Sequence, residues 1–211
     1  MIAVVVVVAF GFWLLHPQAA AKSPYVTSLQ KGEFALVPDA CKVVGAPALR
    51  LYLSGSPSSI QPISGKTESE CTYTVDRKPA FRVLNIMVQA YSPSLTVPGY
   101  GSATSAAAYT FASQRAVLAK PPKNTPQPAA TISSVAGLGS QAISATQVFH
   151  VGAVTDRVTI LARYRNVIIS VYLSGQASGG FGPVSVGALR SGALAVARSV
   201  LAAVMREPRV S

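Results

Sequence analysis

Apolar and polar positions alternate most regularly between Arg157 and Ser174, in the stretch RVTILARYRNVIISVYLS. Folding it back at Arg165-Asn166 sets Tyr164 against Val167, Ala162 against Ile169, Ile160 against Val171 and Val158 against Leu173, so that one pleat face is apolar throughout. The opposite face pairs Arg163 with Ile168, Leu161 with Ser170 and Thr159 with Tyr172, a mixed surface suited to a half-exposed sheet. The pattern predicts a β-hairpin whose register follows from the need to bury one face.

Other segments carry weaker periodicities. Val37 to Val44 is expected to be a short helix opened by Pro38 and Asp39 and ended by Gly45, and Pro47 to Leu53 a second one stopped at Ser54-Gly55. Gly55 to Glu70 is poor in apolar residues and reads as an exposed loop. Cys71 to Val75 alternates, and so does Phe81 to Tyr91 with Leu84, Ile86, Val88 and Ala90 on one face, which predicts a second hairpin. Ser102 to Ala119 carries Ala107, Ala108, Phe111 and Leu118 on a helical stripe and stops before Pro121-Pro122. The Pro-rich connector after it is expected to run extended over the surface. A strand follows Gly137-Leu138-Gly139, with Ile143, Ala145, Phe149 and Val151 on one side. Gly175 to Val186 is glycine-rich and reads as the loop before a last helix, about Gly187 to Arg206, with Leu189, Ala193, Val196, Ala197, Val200, Leu201 and Val204 on one side. Strands in adjacent runs joined by short turns predict an α+β fold, mainly an antiparallel twisted sheet of about five strands flanked by helices, rather than a doubly wound parallel one.

Ile2 to Leu15, IAVVVVVAFGFWLL, is uncharged and would extend about 21 Å as a helix. It reads either as a signal anchor continued to Ala21 or as a cleaved signal peptide with Ala19-Ala20-Ala21 at the cleavage site. No basic region precedes it, which places the true start upstream of Met1 as a further expectation. Residues 1–21 are thus assigned to export, 22–33 to a polar linker and 34–211 to a single extracytoplasmic domain, for which 211 residues at 50% hydrophobic supply one sizeable core.

The net charge of +11 raises nucleic acid as a partner, but Lys42, Arg82, Arg115, Arg163 and Arg198 are scattered over every predicted element and form no stripe with interleaved aromatics. Nucleic acid is set aside on that ground. Affinity for anionic cell-surface material and simple solubility both account for the charge. Cys41 and Cys71 are the only cysteines, and in an oxidising compartment an even count favours a bridge between them, with two free buried thiols as the rival. A lipid-modified cysteine fails on spacing, because neither follows the apolar run directly.

Catalytic chemistry finds little support in this chain. Gly65-Lys66-Thr67 imitates the end of a phosphate-binding loop, but Ile60 stands where the first glycine belongs and no strand leads into it. Gly137-Leu138-Gly139-Ser140-Gln141 lacks the closing glycine of a nucleophile elbow, with Ala142 in its place. His16 and His150 have no cysteine pair or carboxylate cluster near them in sequence, so no zinc site is expected. Of the seven acids, Glu68 and Glu70 are close together on a loop, where solvated charge explains them. No catalytic residue, metal or cofactor is assigned.

The order of elements resembles a family. An apolar N-terminal segment and polar linker lead to a short Pro38-Asp39-x-Cys41 helix and a Cys71-x-Tyr73 strand; Val135 to Ala142, Ala162-Arg163-Tyr164-Arg165-Asn166-Val167 and an alanine-rich closing helix follow. This resembles the actinobacterial exported domains of unknown function, lipoprotein-like or membrane-tethered, and is distantly similar to the extracellular sensor domain of mycobacterial serine/threonine kinases. The resemblance covers about residues 34–205 and implies a twisted antiparallel sheet with flanking helices, a Cys41–Cys71 bridge and a surface location. The lipoprotein cysteine is absent, and so is the second bridge of the kinase sensor. The expected function is a membrane-tethered binding or sensing domain of the bacterial cell envelope, its ligand unidentified and its pocket placed between the sheet and the Gly175 to Gly182 loop. An envelope accessory protein working through protein contacts is the first alternative and a cryptic hydrolase the second.

Overall fold

A computed structural model describes residues 28–78, 80–92, 101–120, 128–151, 153–176 and 185–211, the side chains of 149–154 excepted. The expected anchor or signal peptide, the first half of the linker, and parts of the Pro-rich connector and the glycine-rich loop lie outside these residues. The elements are α1 (Ala46–Leu53), β1 (Ser59–Ser64), β2 (Glu68–Arg77), β3 (Ala80–Ala90), α2 (Ala103–Leu118), β4 (Thr131–Ser134), β5 (Gln141–Val151), β6 (Ala153–Tyr164), β7 (Val167–Gln176) and α3 (Val186–Arg206). The strands form one sheet of seven in the order β1-β2-β3-β7-β6-β5-β4 with every neighbouring pair antiparallel. The α+β class and the antiparallel sheet stand as the alternation implies, with seven strands in place of about five.

The predicted β6–β7 hairpin is present in its predicted register, Tyr164 against Val167 through Val158 against Leu173. Its turn places Arg165 in the left-handed region at φ 55°. The apolar face, continued by Leu84, Ile86 and Val88 of β3, is buried beneath α3 except for the half-buried Tyr164 at its end, and Leu189, Ala193, Val196, Ala197, Val200 and Val204 of α3 form the facing stripe. Each such large side chain removed from water contributes about 1.5–3 kcal/mol, so this layer is the main source of stability. On the opposite side α2 covers only one end of the sheet, where Ala107 and Phe111 pack on Ile143, Leu161 and Ile168. Ser102 caps α2 through a reciprocal bond pair with Ser105, and the buried Glu33 carboxylate accepts from Thr104 N at 2.7 Å, adding negative charge at the helix start.

Two strands and one helix depart from the sequence pattern. Gly55 to Glu70 is not a loop throughout: β1 occupies Ser59–Ser64 at the sheet edge with every residue exposed, so pairing with β2 specifies it without any burial period to betray it. The four-residue β4 at the other edge is too short to show a period. Val37 to Val44 is not a helix. Asp39 Oδ1 instead accepts from Cys41 N at 2.9 Å, and Lys42 N bonds the Asp39 carbonyl, a turn in which the aspartate side chain competes with helical bonding. Cys41 in that turn is joined to Cys71 of β2 with Cα atoms 5.1 Å apart. The bridge spans 30 residues and, by restricting the unfolded chain, contributes about 3.5 kcal/mol.

Candidate functional site

Strand parity sends Ala80, Arg82, Leu84, Ile86, Val88 and Ala90 of β3 to the α3 side of the sheet. One of these is a charge. Arg82 is only 8% exposed, and it lies at the end of the sheet where α3 begins. Its register partner on β7 is Gly175, and Gly175 pairs in turn with Asp156 of β6. The row therefore reads arginine, glycine, aspartate, with no side chain on the middle strand. Asp156 is also 8% exposed. Two strand spacings separate the backbones of the two charged residues by about 10 Å, and they form no ion pair.

A cleft of about 270 Å³ opens beside Arg82. One wall is the first turns of α3, with Ser185, Leu189, Ser191 and Gly192; the other is the end of α1, with Leu51, Tyr52 and Ser54. The local sequence explains why the two helices meet here. A Cβ on Gly192 would lie 3.1 Å from Leu173 Cδ2 and 3.2 Å from Tyr52 Cδ1, so the missing side chain lets α3 sit close to both the sheet and α1. Helix α1 ends on Ser54 in the left-handed conformation, with Gly55 N bonding the Arg50 carbonyl. Helix α3 begins at Ser185, whose side chain accepts from Ala188 N. No acidic residue stands in its first turn.

The Arg82 guanidinium donates from Nη1 to the Phe81 carbonyl oxygen at 2.8 Å. Among the described residues its Nε and Nη2 have no acceptor and its charge has no counterion; the ion pair seen there is Lys42 with Asp39. Burial lowers its pKa from the ordinary guanidinium value, although an arginine remains charged in water-accessible pH ranges. The site thus offers a positive charge with unused donors, a helix N-terminus and a short apolar wall.

Sequence reasoning placed other residues, with mixed results. Cys41 and Cys71 are brought together, as a structural bridge. Gly65-Lys66-Thr67 forms the β1–β2 connection, so a strand does lead into it, contrary to the sequence expectation, because β1 buries no side chain that would mark it; its Lys66 and Thr67 carbonyls accept from Val37 N and Ala90 N. Gly137 and Gly139 both have φ 71° and turn β4 into β5 around the buried Leu138. Glu68 and Glu70 lie in β2 and not on a loop, on the same outer face by strand parity, where Glu70 accepts from Asn85 Nδ2 at 2.6 Å and Glu68 is exposed. The side chain of His150 lies outside the described residues. On the mixed hairpin face, Arg157 stacks on the Tyr172 ring at 4.8 Å, and Arg163 bonds Gln141 and the Arg165 carbonyl, so its cations are engaged within the sheet. Along the sequence Arg82 is one of many scattered charges. The signal that marks it is its inward position in an otherwise apolar alternating strand, and the same holds for Asp156 beside Val158 and Ile160. Comparison with protein-family models, with curated proteins and with solved structures finds no match for this chain.

Proposed function

We infer that this chain is a binding or sensing domain of the bacterial cell envelope, tethered outside the membrane by its N-terminal apolar segment, with a small molecule as ligand. The observation that carries the reading is the cleft between α1 and α3, where a nearly buried arginine with unused donors meets an apolar wall of Leu51, Tyr52 and Leu189. Few, well-placed polar groups in an apolar concavity are the ordinary composition of a ligand site, and about 270 Å³ stands just below the usual range of about 300–1,000 Å³. The Cys41–Cys71 bridge supports an oxidising compartment. Among the described residues α3 is the helix long and apolar enough to cross a membrane, but its apolar side is the one packed on the sheet, so tethering is assigned to the N-terminal run.

The test joins placement with binding. Protease shaving of intact cells carrying a C-terminally tagged chain is expected to remove the tag; a protected tag refutes the extracytoplasmic placement. A small-molecule library screened by thermal shift on the full-length chain in nonionic detergent is expected to yield ligands whose effect vanishes in Ala188→Trp, which fills the cleft from an exposed position in its lining and leaves the packing of α3 intact. A ligand at 100 times its Kd adds about 2.7 kcal/mol, or about 5–10 °C in Tm. Hits insensitive to that substitution refute this cleft as the site. Protein contacts are favoured as a second reading by β1, an edge strand on which Ile60 and Ile63 are 54% and 60% exposed, open to pairing with another chain.

A further inference from the structure

We propose that the α1–α3 cleft is an oxyanion site: it takes the phosphate or carboxylate group of a small ligand between Arg82 and the N-terminus of α3. The inference rests on the reading of the cleft as a binding site and specifies what that site recognises.

Two independent features point the same way. The first is Arg82 itself. A guanidinium has five N–H donors in a planar fork, and here one of its nitrogens bonds a neighbouring carbonyl while Nε and Nη2 find no acceptor among the described residues. Neither nitrogen is sealed from solvent, so an anion entering the cleft can replace water on them, and the fork matches the paired oxygens of a carboxylate or phosphate. The second is the start of α3. Its 21 residues align their peptide dipoles toward Ser185, and Ser185 satisfies the amides of Ala188 and Leu189 through its side chain and carbonyl. The Val186 and Gly187 amides have no such partner among the described residues and do not line the cleft, so this end of α3 acts on it through the positive end of the helix dipole beside Ser185.

Electrostatics elsewhere in the row set the limits of the site. On the α3 face of the sheet Asp156 is the acid nearest to Arg82 in register, one strand beyond Gly175, whereas Asp76 of neighbouring β2 has the opposite parity; Asp156 does not line the cleft. It repels an anion placed over Gly175 and leaves the α1 side as the favourable position. The apolar wall of Leu51, Tyr52 and Leu189 then receives the body that carries the anion. Ser54 and Ser191, on the same walls, add hydroxyl groups with which a phosphate can bond.

Phenyl phosphate, benzoate and uncharged phenol, titrated into the full-length chain in nonionic detergent and followed by calorimetry, test the proposal. Both anions are expected to bind more tightly than phenol by about tenfold or more, the worth of one charge-assisted hydrogen bond. Arg82→Met, close in volume and uncharged, is expected to abolish the preference. Ser185→Asp keeps a good helix cap, so it leaves Tm unchanged or higher, yet it sets a carboxylate at the proposed anion position and is expected to abolish the preference too. This second variant keeps the test decisive if Arg82→Met does not fold. Inorganic phosphate and dimethyl phosphate distinguish sources: stronger binding of inorganic phosphate marks a free phosphate, stronger binding of the diester a lipid head group, and either supports the shared chemistry. Phenol binding as tightly as phenyl phosphate, or a preference unchanged in Ser185→Asp, overturns the oxyanion site while leaving the cleft a binding site. Absence of binding by all of these probes overturns the oxyanion site, and the library screen with Ala188→Trp then decides the wider reading by itself.

Discussion

Replacing Asn166 by alanine tests how the domain is closed at the end of the sheet opposite the cleft. Its side chain is fully buried and fills its bonding capacity with backbone: Oδ1 accepts from Phe34 N at 2.8 Å, and Nδ2 donates to the Phe34 and Tyr91 carbonyl oxygens at 2.9 and 2.8 Å. One amide thus joins the β6–β7 turn to the segment entering the domain and to the end of β3. Asn166→Ala leaves one N–H and two carbonyl groups without partners, each costing about 1–3 kcal/mol when buried. Allowing for partial relaxation, the expected loss is about 3–5 kcal/mol, or about 6–20 °C in Tm for a domain of this size. Urea unfolding followed by circular dichroism measures it, and an unchanged m-value confirms that the native state is what changed. Asn166→Asp retains the acceptor but turns a carboxylate toward two carbonyl oxygens, so it is expected to lose at least as much. A loss below about 1 kcal/mol in Asn166→Ala would refute the view that these bonds close the domain, because it would mean that the three backbone groups find other partners.

Three further outcomes are expected. Replacing Cys41 and Cys71 together by serine lowers stability by about 3.5 kcal/mol, and dithiothreitol has the same effect on the wild type but none on the variant; urea unfolding with and without reductant measures both. Gly139→Ala costs about 2–4 kcal/mol, because its Cβ would lie 2.5 Å from the Arg163 carbonyl oxygen on a backbone already at φ 71°. Gly137→Ala, at the same φ but with open space, costs only about 1–2 kcal/mol, and equal losses for the two by thermal melting would contradict the packing argument. Burial first, and the Asp39 carboxylate second, raise the pKa of Tyr73, whose hydroxyl donates to the Cys41 carbonyl at 2.8 Å. A raised pKa means that the neutral phenol's contribution is complete below the unfolded value of about 10 and is lost as pH rises through the folded value. Denaturation at rising pH is therefore expected to show wild type losing stability above about pH 10 relative to Tyr73→Phe, and parallel curves would refute it.

Much of the fold is legible in the amino-acid pattern because burial leaves a period. The β6–β7 register, the inward face of β3 and the stripe of α3 all follow from apolar residues spaced at two or at three to four, and each is found as the pattern implies. The edges are not legible. β1 buries no side chain, so no period exists to detect, and the Val37 to Val44 turn carries helix-opening residues whose aspartate bonds its own backbone instead. Asn166 shows the same limit from another side. Its place in a two-residue turn is evident, but its bonds to Phe34, 132 residues away in sequence, are not.

What the chain by itself determines is therefore the set of elements that bury a face, the class of sheet they build and the two cysteines available to bridge it. Only the tertiary structure decides that Arg82, unremarkable among 18 basic residues, comes to lie under the start of α3 beside α1. The physical reason is one of range. Periodicity reports whether a side chain faces the core, a local property of the backbone, whereas the charge on Arg82 acquires meaning from groups about 30 residues before it and about 100 after it. Those are joined only when the antiparallel sheet closes and the bare Gly192 lets α3 settle against Leu173 and Tyr52.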